Sequence, residues 1–188
     1  MIKWIATAIL LFHAPHVVRA GLITNGGFET GDFTGWTAGG STPPIVQCGN
    51  SNLPAHSGTC EAVSFNSLKG TLSQNISTSP GGSYTLDFWL QFQGQAPTPN
   101  FSASWNGVTI LSLINPSPFL YTHEVFNNLT ASSMTSLSFT AQANSPFNAA
   151  FLVDDVNVAT VPEPGTFSSV LCALASAGLW RRLQQRSN

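Results

Sequence analysis

The stretch SYTLDFWLQFQG, Ser83 to Gly94, alternates without a break. Tyr84, Leu86, Phe88, Leu90 and Phe92 fall on one side, and Thr85, Asp87, Trp89, Gln91 and Gln93 fall on the other. A period of two is that of a β-strand with one apolar and one polar face, since a helix would scatter the same residues around its axis. Each large side chain buried on the apolar face contributes roughly 1.5–3 kcal/mol. Pro80-Gly81-Gly82 supplies the turn that leads into the strand.

Similar patterns occur on both sides. Asn106-Gly107 is a two-residue hairpin signal joining Phe101–Trp105 to Val108–Leu113. Cys60–Phe65, Gly70–Ser77, Tyr121–Phe126, Leu137–Ala143 and Ala150–Ala159 are further strand candidates, and Pro97–Asn100 and Asn115–Pro118 are loops. About eight or nine short strands divided by Gly, Pro, Asn and Ser predict an all-β sandwich or barrel. Trp36 and Trp105 are expected in its core, and Tyr121 suits either face.

The chain has 188 residues, of which 7% are charged, against about 25% in ordinary globular chains. Ser, Thr, Asn, Gln and Gly fill the polar positions. Between Gly21 and Thr160 there is one base, Lys69, against seven acids: Glu29, Asp32, Glu61, Asp87, Glu124, Asp154 and Asp155. Such a domain cannot neutralise a row of phosphates, which excludes nucleic acid as a partner.

The ends have other compositions. Residues 1–20 have the form of a signal peptide: Lys3, the apolar run Trp4 to Phe12, then Val18-Arg19-Ala20. That leaves a domain over 21–160 and a tail over 161–188. The tail has three parts in order: Val161-Pro162-Glu163-Pro164, an apolar stretch from Thr166 to Trp180, and Arg181-Arg182. As a helix the apolar stretch would measure roughly 22 Å, short for a hydrocarbon core of about 30 Å. The order and placement of these parts resemble the PEP-CTERM sorting signal of exopolysaccharide-producing Gram-negative bacteria. The resemblance implies export across the inner membrane, transient anchoring by the tail, processing by exosortase, and a destination at the envelope surface or in the extracellular matrix.

Export through an oxidising compartment favours a disulfide between Cys48 and Cys60, the two cysteines of the 21–160 segment. His56 lies in the loop between them. Cys172 falls in the tail and reads as a small apolar residue.

A second resemblance spans 21–160. Leu22-Ile-Thr-Asn-Gly-Gly-Phe-Glu29 with Gly31-Asp-Phe-Thr-Gly-Trp36, and the late Phe151-Leu-Val-Asp154-Asp155-Val-Asn-Val158, resemble the first and last segments of carbohydrate-binding-module-like jelly rolls. The resemblance implies a galactose-binding-like β-sandwich. It also implies that an early Glu and a late Asp share a structural Ca²⁺, making Glu29 and Asp154 the candidate ligands, with Asp155 as the alternative to Asp154.

Trp89 stands among Asp87, Gln91 and Gln93, a combination suited to holding a sugar: the ring stacks on C–H groups while the polar groups take hydroxyls. Asp87, Trp89 and Gln91 are therefore candidate ligand-binding residues. The competing reading packs Trp89 under a loop. No Gly-x-Ser-x-Gly elbow, His-Glu-x-x-His motif or evident pair of glycosidase carboxylates occurs. These features predict a non-catalytic, exported jelly roll contacting exopolysaccharide, or a structural or adhesive matrix protein without a sugar site, with a glycan-active hydrolase as the third reading.

Overall fold

The structure is a computed structural model and describes residues 21–64, 68–143 and 149–161. The signal segment, Pro162, Glu163, Pro164, the apolar stretch, Arg181 and Arg182 lie outside the described residues.

Ten strands form two antiparallel sheets: β1 (Thr37–Gly40), β2 (Ile45–Cys48), β3 (Cys60–Ser64), β4 (Gly70–Ser77), β5 (Ser83–Gly94), β6 (Asn100–Trp105), β7 (Val108–Ile114), β8 (Phe119–Thr130), β9 (Met134–Gln142) and β10 (Ala149–Thr160). The front sheet runs β1-β4-β9-β6-β7 and the back sheet β2-β3-β10-β5-β8. This is the predicted jelly-roll sandwich, and every described element is a strand. The sequence reading lacked β1 and β2, whose four residues each are too few to establish a period.

The founding stretch is β5, and its apolar side is the core. Leu86, Phe88 and Leu90 are fully buried, with Tyr84 and Phe92 nearly so. Phe101, Phe139 and Phe151 surround them, with Phe88 edge-on to Phe139 at a ring separation of 4.9 Å. Trp36 and Trp105 are core residues as expected.

The segment before β1 closes one end of the sandwich. Leu22 donates to the Val158 carbonyl, Val156 donates to the Gly26 carbonyl, and Phe28 is fully buried between Phe33 and Trp36. Position 26 requires glycine, because a Cβ there would run into the Val156 carbonyl oxygen.

Cys48 and Cys60 form a disulfide across the β2–β3 register. It closes the intervening loop, residues 49–59, at its neck. A closure of that size contributes about 3 kcal/mol in the chain-entropy account.

Candidate functional site

The closed loop folds over the outer face of the back sheet. Leu53 and Tyr121 pack on Val63, Ala150 and Leu152, forming a small second core under it. Four carboxylates gather around the loop's C-terminal half. Glu29 accepts N–H bonds from Thr59 at 2.8 Å and Cys60 at 2.9 Å, and the Thr59 hydroxyl at 3.0 Å. Gly58, at φ +62°, leaves room for the Glu29 carboxylate, which any side chain at 58 would strike. The two peptide N–H groups, with the Thr59 hydroxyl, hold the Glu29 carboxyl below its ordinary range.

Asp154 is fully buried. Its Oδ2 accepts the N–H groups of His56 at 2.9 Å and Ser57 at 3.1 Å, and its Oδ1 accepts that of Asp155 at 2.7 Å. Asp155 follows on the same strand, where alternation would turn it into the core. A β-bulge between Asp154 and Asn157, with Asp155 at φ +48°, turns it outward instead. There it bonds His56 Nδ1 at 2.7 Å and the Ser57 hydroxyl at 2.7 Å.

The fourth carboxylate, Glu61 on β3, was not singled out from the sequence. It is fully buried, with Oε1 3.3 Å from Gln47 Nε2, and Oε2 is unpartnered within the protein. Burial, with Asp154 nearby, pushes it up to about 7, and burial pushes Asp154 up to about 6.

A calcium shell needs six to eight oxygens pointing at one centre. Glu29 and Asp154 are brought to the same loop, as the jelly-roll resemblance implies, but their oxygens face peptide N–H groups. Among the described residues no three acidic, His or Cys side chains are arranged to hold a metal ion. In this arrangement the carboxylates tie down the loop through its peptide N–H groups.

Trp89 is flanked by two imidazoles. His56, tied to β10 through Asp155, stacks on it at 3.7 Å with planes 14° apart. His123 on β8 stacks on it at 4.7 Å and 11°. Asp87 lies beside them, 3.3 Å from His123 Nε2 and accepting a bond from Asn157 at 3.1 Å. Gln91 is buried, its amide 3.3 Å from Gln93. The three candidate ligand residues thus share one face of β5, and the stacking surface of Trp89 is already occupied.

The outer face of the front sheet is different in kind. Its five strands contain no Asp, Glu, Lys or Arg. The register aligns two rows across all five: Thr37, Ser73, Ser138, Ser104, Thr109, and Gly39, Thr71, Thr140, Ser102, Ser112. Asn75 beside Ser136 and Gln142 beside Asn100 extend the pattern. At about 4.8 Å per strand the rows are roughly 19 Å wide. All charged strand residues lie on the back sheet.

Fold and register together describe a ten-stranded jelly-roll sandwich. Among solved structures the chain is similar to a family 61 carbohydrate-binding module determined with β-1,4-galactotriose, at 19% identity and TM-score 0.60, covering 76% of this chain and 100% of that one. It is also similar to the C-terminal family 22 module of Clostridium thermocellum Xyn10B, at 17% identity and TM-score 0.56, covering 74% and 94%. A third is the K3 cleaved adhesin domain of Lys-gingipain from Porphyromonas gingivalis, at 14% identity and TM-score 0.54, covering 72% and 96%. At these identities the likeness is one of fold. No family model and no curated protein matches the sequence.

Proposed function

We propose that this chain is an exported, non-catalytic module that lays its front sheet against neutral exopolysaccharide at a bacterial envelope surface or in the matrix around it. The observation that carries the proposal is the charge-free, hydroxyl-bearing face of β1-β4-β9-β6-β7. Rows of Ser and Thr offer both donors and acceptors to a polymer of hydroxyls, and without Lys or Arg they give a polyanion nothing to bind. The likeness to a module solved with a galactan trisaccharide supports the same reading.

The test is co-sedimentation of residues 21–161, whose buried core lies between Phe28 and Val158, with insoluble neutral polysaccharides and with alginate. The protein will pellet with a neutral polymer and not with alginate. The double variant Ser138→Glu/Thr140→Glu, at the centre of the face, will lose at least about tenfold in affinity, which takes only 1.4 kcal/mol. Equal binding by the variant sinks the assignment of this face.

In this proposal the tail carries the module to that location. Val161-Pro162-Glu163-Pro164 with Arg181-Arg182 is the signal read by exosortase, and the apolar stretch anchors the chain in the membrane until then. Intact-mass measurement of the surface protein from the producing bacterium will show a chain ending near residue 161–165. In a strain lacking exosortase the full tail will remain on a membrane-bound form. A full-length chain in the matrix refutes the sorting step.

One observation favours the alternative of a structural or adhesive protein without a sugar site: both sides of Trp89 are taken by His56 and His123. Failure of every neutral polymer in the sedimentation test establishes that alternative.

A further inference from the structure

We infer that His56 is a built-in pseudo-ligand, its imidazole occupying a second sugar subsite formed by Trp89 and Asp155 on the back sheet. The inference rests on the reading that the sandwich contacts polysaccharide, and it concerns the opposite face from the hydroxyl rows.

The geometry of His56 is that of a bound ring. It lies flat on the indole at 3.7 Å and 14°, and its Nδ1 meets the Asp155 carboxylate at 2.7 Å. An aromatic plane and an adjacent carboxylate hold a pyranose by the same two contacts, C–H groups on the ring face and a hydroxyl on the carboxylate. Tyr121 closes a second side, its ring edge-on to His56 at 5.3 Å. The bulge that turns Asp155 outward makes the carboxylate available. Alternation alone would have sent it into the core.

The loop does not need the imidazole to stay in place. The disulfide closes its neck, and Asp154 and Glu29 hold residues 56, 57, 59 and 60 through their peptide N–H groups. The side chain of residue 56 is therefore separable from the anchoring of its backbone. Its ring exposes one face of Trp89 by leaving, whether by rotation or by displacement. A site whose competent form is a minor state binds its ligand more weakly by that population, and removing the competitor restores the affinity.

The experiment is calorimetric titration of the 21–161 sandwich with cellohexaose, xylohexaose, β-1,4-galactotriose and oligosaccharides cut from the producing organism's own exopolysaccharide. His56→Ala will bind at least one of them about tenfold or more tightly than the parent protein. The double variant His56→Ala/Trp89→Ala will lose that gain. His56→Phe, which keeps a stacked ring, will behave as the parent, and it guards against a loop that collapses once the position is emptied. No gain in His56→Ala, a gain that survives loss of Trp89, or a gain in His56→Phe each overturns the inference. Sedimentation on neutral polysaccharide, run on the same preparations, separates the two claims. Intact sedimentation with no gain in His56→Ala removes only the subsite, whereas loss of both removes the polysaccharide reading as well.

Discussion

Raising the pH from about 4.5 to about 7 will destabilise the sandwich, and Glu61→Gln will abolish about half of that loss. Glu61 lies fully buried beside Asp154, and its carboxyl is pushed from 4.5 up to about 7. Asp154, also buried, is pushed from 3.8 up to about 6. Both groups hold their protons more tightly folded than unfolded. The stability they contribute is fully present below the unfolded values and is lost as the pH rises through the folded ones. For Glu61 alone the displacement corresponds to about 3 kcal/mol at pH 8. Gln keeps an acceptor for Gln47 and removes the charge, so the variant will gain about that amount at pH 8 and almost nothing at pH 4.5. Glu29 and Asp32 act in the other direction. Peptide N–H groups lower the first and the Thr34 and Thr30 hydroxyls the second, so their contribution disappears as the pH falls. Maximum stability therefore lies on the acid side of neutrality, near pH 4–5. Urea unfolding of parent and variant at pH 4.5, 6 and 8 measures this directly. A difference between the two proteins that does not change with pH contradicts the argument.

The reason for such a cluster is compositional and was visible in the chain. With Lys69 as the one Lys or Arg between Gly21 and Thr160, the carboxylates around the loop find other partners. They turn to peptide N–H groups, as exposed Glu29 and buried Asp154 do, or keep a proton. What the sequence could not show was which acids would meet. Asp154 lies 97 and 98 residues from Ser57 and His56, to which it is bonded, and no local pattern reports a contact at that separation. The core face of β5 was legible because five apolar residues at period two admit one arrangement. β1 and β2 were not, because TAGG and IVQC carry no period. The hydroxyl face escaped for a related reason. Ser73, Ser138 and Ser104 are each an ordinary solvent-side residue within their own strand. They become a surface only through the pairing of β4 with β9 and β9 with β6, and pairing order is a property of topology. Trp89 was legible as a choice between platform and packed ring, and the loop that decides it reads in sequence as a polar surface loop. Its position in the loop is all the sequence shows of His56, whereas its ring lies face to face with an indole.

Asp154→Ala will strongly destabilise the sandwich and will act through the loop. The carboxylate is fully buried and satisfies three peptide N–H groups, those of His56, Ser57 and Asp155. A buried donor left without an acceptor costs about 1–3 kcal/mol. Part of that is recovered when the loop lifts and water reaches the freed groups, so a net loss of about 3–5 kcal/mol is expected. Lifting also takes Leu53 off the small cluster of Val63, Ala150 and Leu152. Asp154→Asn tests the same account more finely. Its single oxygen can keep the two bonds from His56 and Ser57, but its amide group then confronts the Asp155 N–H, donor against donor. It will therefore fall between Ala and the parent, and it will also lose the part of the pH dependence that belongs to Asp154. Hydrogen exchange supplies the local readout. The amides of His56 and Ser57 will lose protection in Asp154→Ala, while the amides of Thr59 and Cys60, held by Glu29 beside the intact disulfide, will keep more of theirs. If the Ala variant unfolds within about 1 kcal/mol of the parent, or if all four amides respond equally, Asp154 is not the anchor of the loop. The stacking of His56 on Trp89 would then have to be maintained by Asp155 and the ring contact alone.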